Sequence, residues 1–300
     1  MPTLTAIIPA TNEPATLHRC RTAIETARAA PEEVIVVSEP PLAGPAASRN
    51  AGAERAEGDV LVFVDADVEV HTDAFARIRE AFETDPELIA VFGSYDDAPS
   101  APGVVSQFRN LLHHDVHHEA AGPATTFWAG LGAVRSDAFR RAGGFDADRY
   151  AVPSIEDIEL GMRLSADGAR IVLMPEIQGT HLKHWSLWQM VRTDFAQRGV
   201  PWVGLIIESR GSSALNLGMK HRLSALASVV GLAAVVVRRP RIALGSLGLL
   251  VALNHRFYAL LVKRRGLPEA GLGVLLHALH HLVSAAAVPF GLLRWARSRR

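Results

Sequence analysis

Apolar residues follow two regimes along the 300-residue chain. In the first 210 positions, short apolar runs alternate with segments whose apolar residues recur at helical spacing. Leu4–Pro9, Glu33–Val37, Asp59–Val64 and Leu88–Gly93 are rich in β-branched and aromatic residues, and Leu61–Val64 is apolar throughout, as in a strand buried on both faces. Turn chemistry over Ala10–Pro14 leads into a helix expected from about Ala15 to Ala30. Further helices are expected over Ser48–Ala56 and over Asp73–Thr84, the latter with Phe75, Ile78 and Phe82 on one face. Ile171–Pro175 reads as a last strand. Strand and helix alternating in this way predict βαβ units, hence an α/β fold with a mostly parallel sheet flanked by helices.

From Gly211 onward the pattern changes to long uncharged runs: fifteen residues over Leu223–Val237, thirteen over Ile242–Asn254 and twenty-three over Gly271–Leu293. A bilayer-spanning helix needs about 20 apolar residues. Only the last run reaches that length outright. The first reaches it by taking in Leu215–Met219 with Lys220 and Arg222 snorkelling, the second by continuing through Arg256 to Val262. The expected organisation is therefore an α/β domain over 1–210 and a hydrophobic helical region over 211–300 holding one to three membrane segments, the shorter ones re-entrant or interfacial.

Charge sharpens this division. Lys plus Arg and Asp plus Glu each total 31, but residues 211–300 carry thirteen bases against Glu269 alone, leaving eighteen bases and thirty acids before them. Arg238, Arg239, Arg241, Lys263, Arg264, Arg265, Arg294, Arg297, Arg299 and Arg300 flank the apolar runs, an arrangement suited to anionic lipid headgroups. Because the bases are interleaved with long aliphatic stretches, nucleic acid is not the expected partner. A helical accessory domain with buried helices is the alternative to membrane attachment. The single cysteine, Cys20, forms no internal disulfide and reads as a small buried side chain, and Met1–Ala10 reads as a first strand rather than a secretory leader.

Candidate chemistry sits where the strand patterns end. Asp65 and Asp67 follow the buried run Leu61–Val64, and in extended backbone carboxylates two residues apart point the same way. They would stand at the C-terminal edge of the sheet, where open α/β folds bind ligands. Hard oxygen ligands suit Mg²⁺ or Mn²⁺, which complete their shells with water and substrate phosphates, so the pair suggests a diphosphate site. A second acidic pair, Glu156-Asp157, comes after Gly143-Gly144-Phe145-Asp146 and a loop over Ala147–Pro153. With Ser154 as the expected N-cap, acids there also complement a helix dipole, so capping and chemistry both remain open. His113 with His117 and His114 with His118 fall at helical i,i+4 spacing, which zinc can use, but nothing completes a tetrahedral set. A solvated or interfacial helix is the expectation there, and Trp185 and Trp188 are expected to pack.

Five blocks taken in order, IIPATNEP, EEVIVVSE, GPAASRNAGAERAEGDVLVFVDADV, FWAGLGAVRSDAFRRAGGFD and SIEDIELGMRLSADGARIVLMPE, resemble the family-two inverting glycosyltransferases. The resemblance implies a GT-A, Rossmann-like fold and a donor pocket lined by Pro9, Asn12 and Glu13, with Arg49 and Asn50 near the nucleobase or diphosphate. Asp65-Ala66-Asp67 would be the family's D-x-D, with Asp67 on the metal and Asp65 on the ribose or the metal. Where the family commonly has an acidic pair after the second strand, this chain has Ser38-Glu39 followed by Pro40-Pro41, leaving Glu39 as the donor-side acid.

The resemblance also makes Asp157, and second Glu156, the general base. It places His181 on the metal or diphosphate with Lys183 nearby, and Trp128, Gly130 and Gly132 on the acceptor side, where small residues would let a sugar approach backbone. Trp202, in a segment faintly similar to the Q-x-x-R-W of processive synthases, is assigned to the acceptor side as well. The implied activity is Mg²⁺- or Mn²⁺-dependent transfer from a nucleotide-sugar donor to a lipid or lipid-linked acceptor at the cell membrane, with the catalytic domain facing the cytoplasm. A processive polysaccharide synthase component and a catalytically silent donor-binding subunit are the alternatives.

Overall fold

The computed structural model describes residues 1–12, 14–209 and 218–298. Glu13, the stretch from Leu215 to Leu217, Arg299 and Arg300 therefore lie outside the described residues. By their contacts the residues form two units, one of Met1–Ala101 with Val116–Lys183 and one of Pro102–Asp115 with His184–Arg300.

The first unit opens with β1 (Leu4–Pro9), α1 (Leu17–Glu25), β2 (Glu33–Val37), α2 (Pro45–Arg55), β3 (Val60–Val64), β4 (Val68–Val70), α3 (Ala74–Thr84) and β5 (Leu88–Tyr95). The helix α4 (Val104–Glu119) follows, and then β6 (Gly122–Ala124), β7 (Leu131–Arg135), α5 (Ser136–Arg141), α6 (Glu156–Ala166) and β8 (Arg170–His181). These strands make one sheet in the order β2-β1-β3-β7-β5-β8-β4, with β6 paired to β8. The βαβ half is parallel, β1 lying between β2 and β3. β7 then inserts antiparallel to both β3 and β5, while β5 and β8 are parallel, so the sheet is mixed.

All five residues of β3 are buried, as its unbroken apolar run requires of a strand covered on both faces. Phe63 is fully buried against Phe139 at 5.4 Å and Phe145 at 5.1 Å between ring centroids. Burying such a ring contributes roughly 1.5–3 kcal/mol and fixes the segment after α5 against the central strand. α1 is shorter than its pattern suggested, because the chain leaves the helix at Thr26 and Ala29 takes a positive φ of 53°.

The second unit is helical. After α7 (Leu187–Arg192) comes a π-helical stretch (Thr193–Gly199), then α8 (Val200–Glu208), α9 (Met219–Val236), α10 (Pro240–Leu253) and α11 (His255–Ser298), which is broken at Gly266. α9 and α11 are each long and apolar enough to cross a membrane, and α10 is a shorter apolar helix. Their outer faces carry large apolar side chains, among them Val236 at 73% and Leu275 at 64% exposure. Trp185 packs within this unit beneath the Arg109 guanidinium, whereas Trp188 is 71% exposed.

Candidate active site

Asp65 and Asp67 do not lie in extended backbone. The Val68 N–H donates to the Asp65 carbonyl at 2.9 Å, closing a turn between β3 and β4 that gives each carboxylate its own partner. Asp65 accepts a 2.7 Å bond from Arg49, and Asp67 stands 3.6 Å from the ring nitrogen of His181 at the end of β8. Cys20 is buried under this turn, its thiol donating to the Asp65 carbonyl. Burial, then the charges of Asp65 and Asp67, push that thiol up to about 12 and leave it unreactive.

Arg49 joins this turn to the second acidic pair. Pro45 begins α2, and one turn later Arg49, 4% exposed, donates through one amino group to Asp65 and through the other to Glu156 at 2.9 Å. Burial works against its charge, but Asp65, Glu156 and Asp157 outweigh that and hold the guanidinium charged, above its ordinary range. The other Glu156 oxygen accepts from the Ser154 N–H at 2.9 Å. Ser154 is therefore not the N-cap of α6, a position held by Ile155, and the Glu156 side chain itself caps the preceding backbone.

Among the described residues Asp157 has no ion pair that would use up its charge. It accepts from the backbone N–H groups of Ala129 at 3.1 Å and Ile158 at 2.8 Å. Burial, then the adjacent Glu156 charge, push its carboxyl up to about 6. The bond to Ala129 also ties the start of α6 to the Trp128–Gly132 segment. There the room left by Gly130 and Gly132 is filled: a Cβ on Gly130 would strike the Trp128 ring, and one on Gly132 the Trp128 carbonyl and the Phe127 ring. These glycines serve close packing rather than open space for a sugar.

The His181 side is built from rings. Tyr95, at the end of β5, stacks on His181 with centroids 4.2 Å apart and planes within 9°. Trp128 meets Tyr95 edge-on at 5.0 Å, and His117 meets Trp128 at 5.3 Å. His117 itself is buried and bonded to the Gly93 carbonyl at 2.9 Å, so it braces this stack and does not lie on a solvated face. Burial works to raise the Asp67 carboxyl, but His181 and Lys183 outweigh it and hold it below its usual range.

Asp67 and His181 fit a divalent cation. At 3.6 Å they are too far apart for a hydrogen bond and spaced as two ligands of one ion are, with hard oxygen and imidazole chemistry suited to Mg²⁺ or Mn²⁺. Among the described residues no group of three or more such ligands occurs, so remaining positions on an ion would fall to water or substrate oxygens.

The other expected residues are placed less closely. Pro9 ends β1 and Glu39 lies two residues past β2, at the same sheet edge as Asp65, while Asn12 and Glu39 are exposed. Ala66 is buried within the turn. Asn50 turns away from the turn to clamp the Phe145 backbone, donating to its carbonyl at 2.8 Å and accepting from its N–H at 2.9 Å. An open cavity of about 470 Å³ lies on that side, lined by Asn50, Gly143–Asp148, Glu159 and Arg163. Trp202 belongs to α8 in the second unit.

Residues 21–143 match the model of the family described as Glycosyl transferase family 2. The fold is similar to that of the mannosyltransferase PcManGT from Pyrobaculum calidifontis, solved with GDP-Man and Mn²⁺, at 17% identity and a TM-score of 0.56, covering 96% of this chain and 87% of that one. GalNAc-T7, solved with UDP, GalNAc and Mn²⁺, aligns at 14% identity and a TM-score of 0.49, covering 76% of this chain and 51% of that one. TarS 1-349 of S. aureus aligns at 14% identity and a TM-score of 0.47, covering 95% and 90%. No curated protein matches the sequence.

Proposed function

From the premise that residues 21–143 form a family 2 glycosyltransferase domain on a GT-A fold, we propose that the chain is a metal-dependent inverting glycosyltransferase acting at a membrane. Its donor is a nucleotide-sugar and its acceptor a lipid or lipid-linked hydroxyl. The observation that carries this reading is Arg49, buried and bonded at once to Asp65 and Glu156, which draws the two acidic pairs into one network.

In that network Asp157 is the general base. It is half-buried, has no ion pair among the described residues and is raised to about 6, whereas both oxygens of Glu156 are engaged. Asp157 takes the proton of the acceptor hydroxyl as that oxygen attacks the anomeric carbon. The bond to the nucleoside diphosphate breaks on the opposite face, so the configuration inverts in one displacement. Glu156 and Arg49 hold the base in place. Asp67 and His181 would hold Mg²⁺ or Mn²⁺, and such an ion supplies positive charge to the departing diphosphate. Pro9, Asn12, Glu13 and Glu39 remain the donor-side assignments, with Trp128 and Trp202 on the acceptor side.

Residues 211–300 would attach the 1–210 catalytic domain to the cell membrane, with that domain on the cytoplasmic side. α9 and α11 support attachment by length and composition. Confinement to the plane of a lipid acceptor raises its effective concentration, which is what such a tail offers catalysis. Purified full-length protein should be screened for nucleotide release against a panel of sugar nucleotides, with a lipid extract as acceptor and with Mn²⁺ or chelator. Release from one donor, dependent on Mn²⁺ and on the extract, supports the assignment; no release from any donor counts against it.

A further inference from the structure

The second unit holds a polar cluster with no part in the chemistry above. Asp194, in the π-helical stretch, is buried and bonded to Arg109 and to His280, each at 2.8 Å. π-helical turns inside α-helices often mark functional sites. The charge of Asp194 is answered within that triad. Beside it on α11, His277 and His281 are 1% and 4% exposed, with rings 4.5 Å apart. The Tyr258 hydroxyl is bonded to Nδ1 of His277 at 2.9 Å and orients that ring. The Nε2 atoms of both His277 and His281 are buried and have no hydrogen-bond partner among the described residues.

Two buried imidazole nitrogens without partners each cost free energy unless something fills the space between or beside them. The surroundings decide the sign of that occupant. His221 lies with its ring 6.5 Å from that of His281, and His280 on α11, then His221 and Lys220 at the start of α9, act electrostatically on both rings. The nearest carboxylate in the cluster, Asp194, is already bonded to Arg109 and His280. A metal cation would meet like charge from Lys220, and no metal-ligand group of three occurs among the described residues. An acceptor carrying negative charge would instead be satisfied by both rings in their Nε2–H tautomers, which for His277 leaves Nδ1 to accept from the Tyr258 hydroxyl, and would meet the charge of Lys220. Ionisable residues on an apolar helix of this kind point to a ligand site by default.

We propose that His277 and His281, with Lys220 and His221, form a phosphate-binding site in the helical unit, independent of the glycosyltransferase reading. The phosphate can come from a lipid headgroup or from solution. The test uses the full chain in detergent micelles, with phosphatidic acid, phosphatidylcholine and inorganic phosphate as separate probes and native mass spectrometry and calorimetry as readouts. Phosphatidic acid binding that falls at least tenfold in H277Q/H281Q, with phosphatidylcholine not retained, supports a lipid headgroup. His-dependent binding of inorganic phosphate alone supports a solution source.

Should the double variant fail to fold, H281Q alone and the ¹⁵N ring resonances of wild-type histidines give the same answer. Phosphate or phosphatidic acid should then shift two imidazole signals that phosphatidylcholine leaves in place. Binding of neither phosphate probe, binding unchanged in the variants, or imidazole signals unmoved overturns the proposal.

Discussion

Arg49 and Glu156, 107 residues apart in the chain, share a 2.9 Å ion pair buried at both ends. The same guanidinium reaches Asp65, so one side chain fixes the spacing between the β3–β4 turn and the start of α6. Removing one member of a buried pair leaves its partner charged and uncompensated, at a cost of about 3–5 kcal/mol. Arg49→Met should therefore lower unfolding free energy by that order in denaturant titration. Arg49→Lys, which keeps the charge but cannot fork between two carboxylates, should fall between. A melt of Arg49→Met superimposable on wild type would show that the pair does not organise the site.

The pH dependence follows from Asp157. Its carboxyl is raised from 3.8 to about 6 in the folded protein, and a base works only when deprotonated. Donor turnover should be low below that pH, climb through it and level off above. Because Glu156 contributes to the rise, Glu156→Gln should move the acidic limb to lower pH while leaving its shape. An acidic limb that stays in place in Glu156→Gln would separate the measured limb from Asp157.

Metal binding should report on the ring stack as well as on the ligands. Asp67→Asn and His181→Ala should each weaken Mn²⁺ binding in the presence of nucleoside diphosphate, followed by electron paramagnetic resonance. Tyr95 touches His181 by stacking at 4.2 Å, and residues that orient a metal-binding histidine typically matter about 10–100-fold in affinity. Tyr95→Leu should show a loss in that range and Tyr95→Phe, which keeps the ring, almost none. Equal affinities in Tyr95→Leu and wild type would reduce the stack to ordinary core packing.

Membrane attachment is checked by fractionation. With α9 and α11 embedded, the full chain should stay in the membrane pellet through high-salt and carbonate washes and leave it only with detergent. Recovery in the salt-wash supernatant would mean that the apolar faces are covered in some other way.

How much of this was legible in the sequence differs by element. β3 announces itself because a strand buried on both faces is apolar throughout, and β1, β2 and β5 by short runs rich in apolar and β-branched residues; their positions agree with the runs. β7 is hidden because Gly132, which admits the Trp128 carbonyl and the Phe127 ring, interrupts its apolar run. The pair Asp65 and Asp67 was visible, but not the turn that sends Asp65 to Arg49 and Asp67 to His181. That turn is set by a backbone hydrogen bond and by partners far away in sequence. Tyr95 and His117 carried no local signal, since only the packing of β5 and α4 brings them to the Trp128 and His181 rings. The preference for Asp157 over Glu156 came from resemblance. Geometry supplies a physical reason, because Glu156 spends one oxygen on Arg49 and the other on Ser154.

The most direct test of the account is the single-turnover rate of Asp157→Asn at saturating donor and Mn²⁺, with donor affinity measured on the same preparation. General-base catalysis typically contributes about 10²–10⁴-fold. The expected result is a rate lower by that factor with donor affinity unchanged. A rate within twofold of wild type would contradict the assignment of Asp157 as base, and with it the claim that the two acidic pairs form one active site.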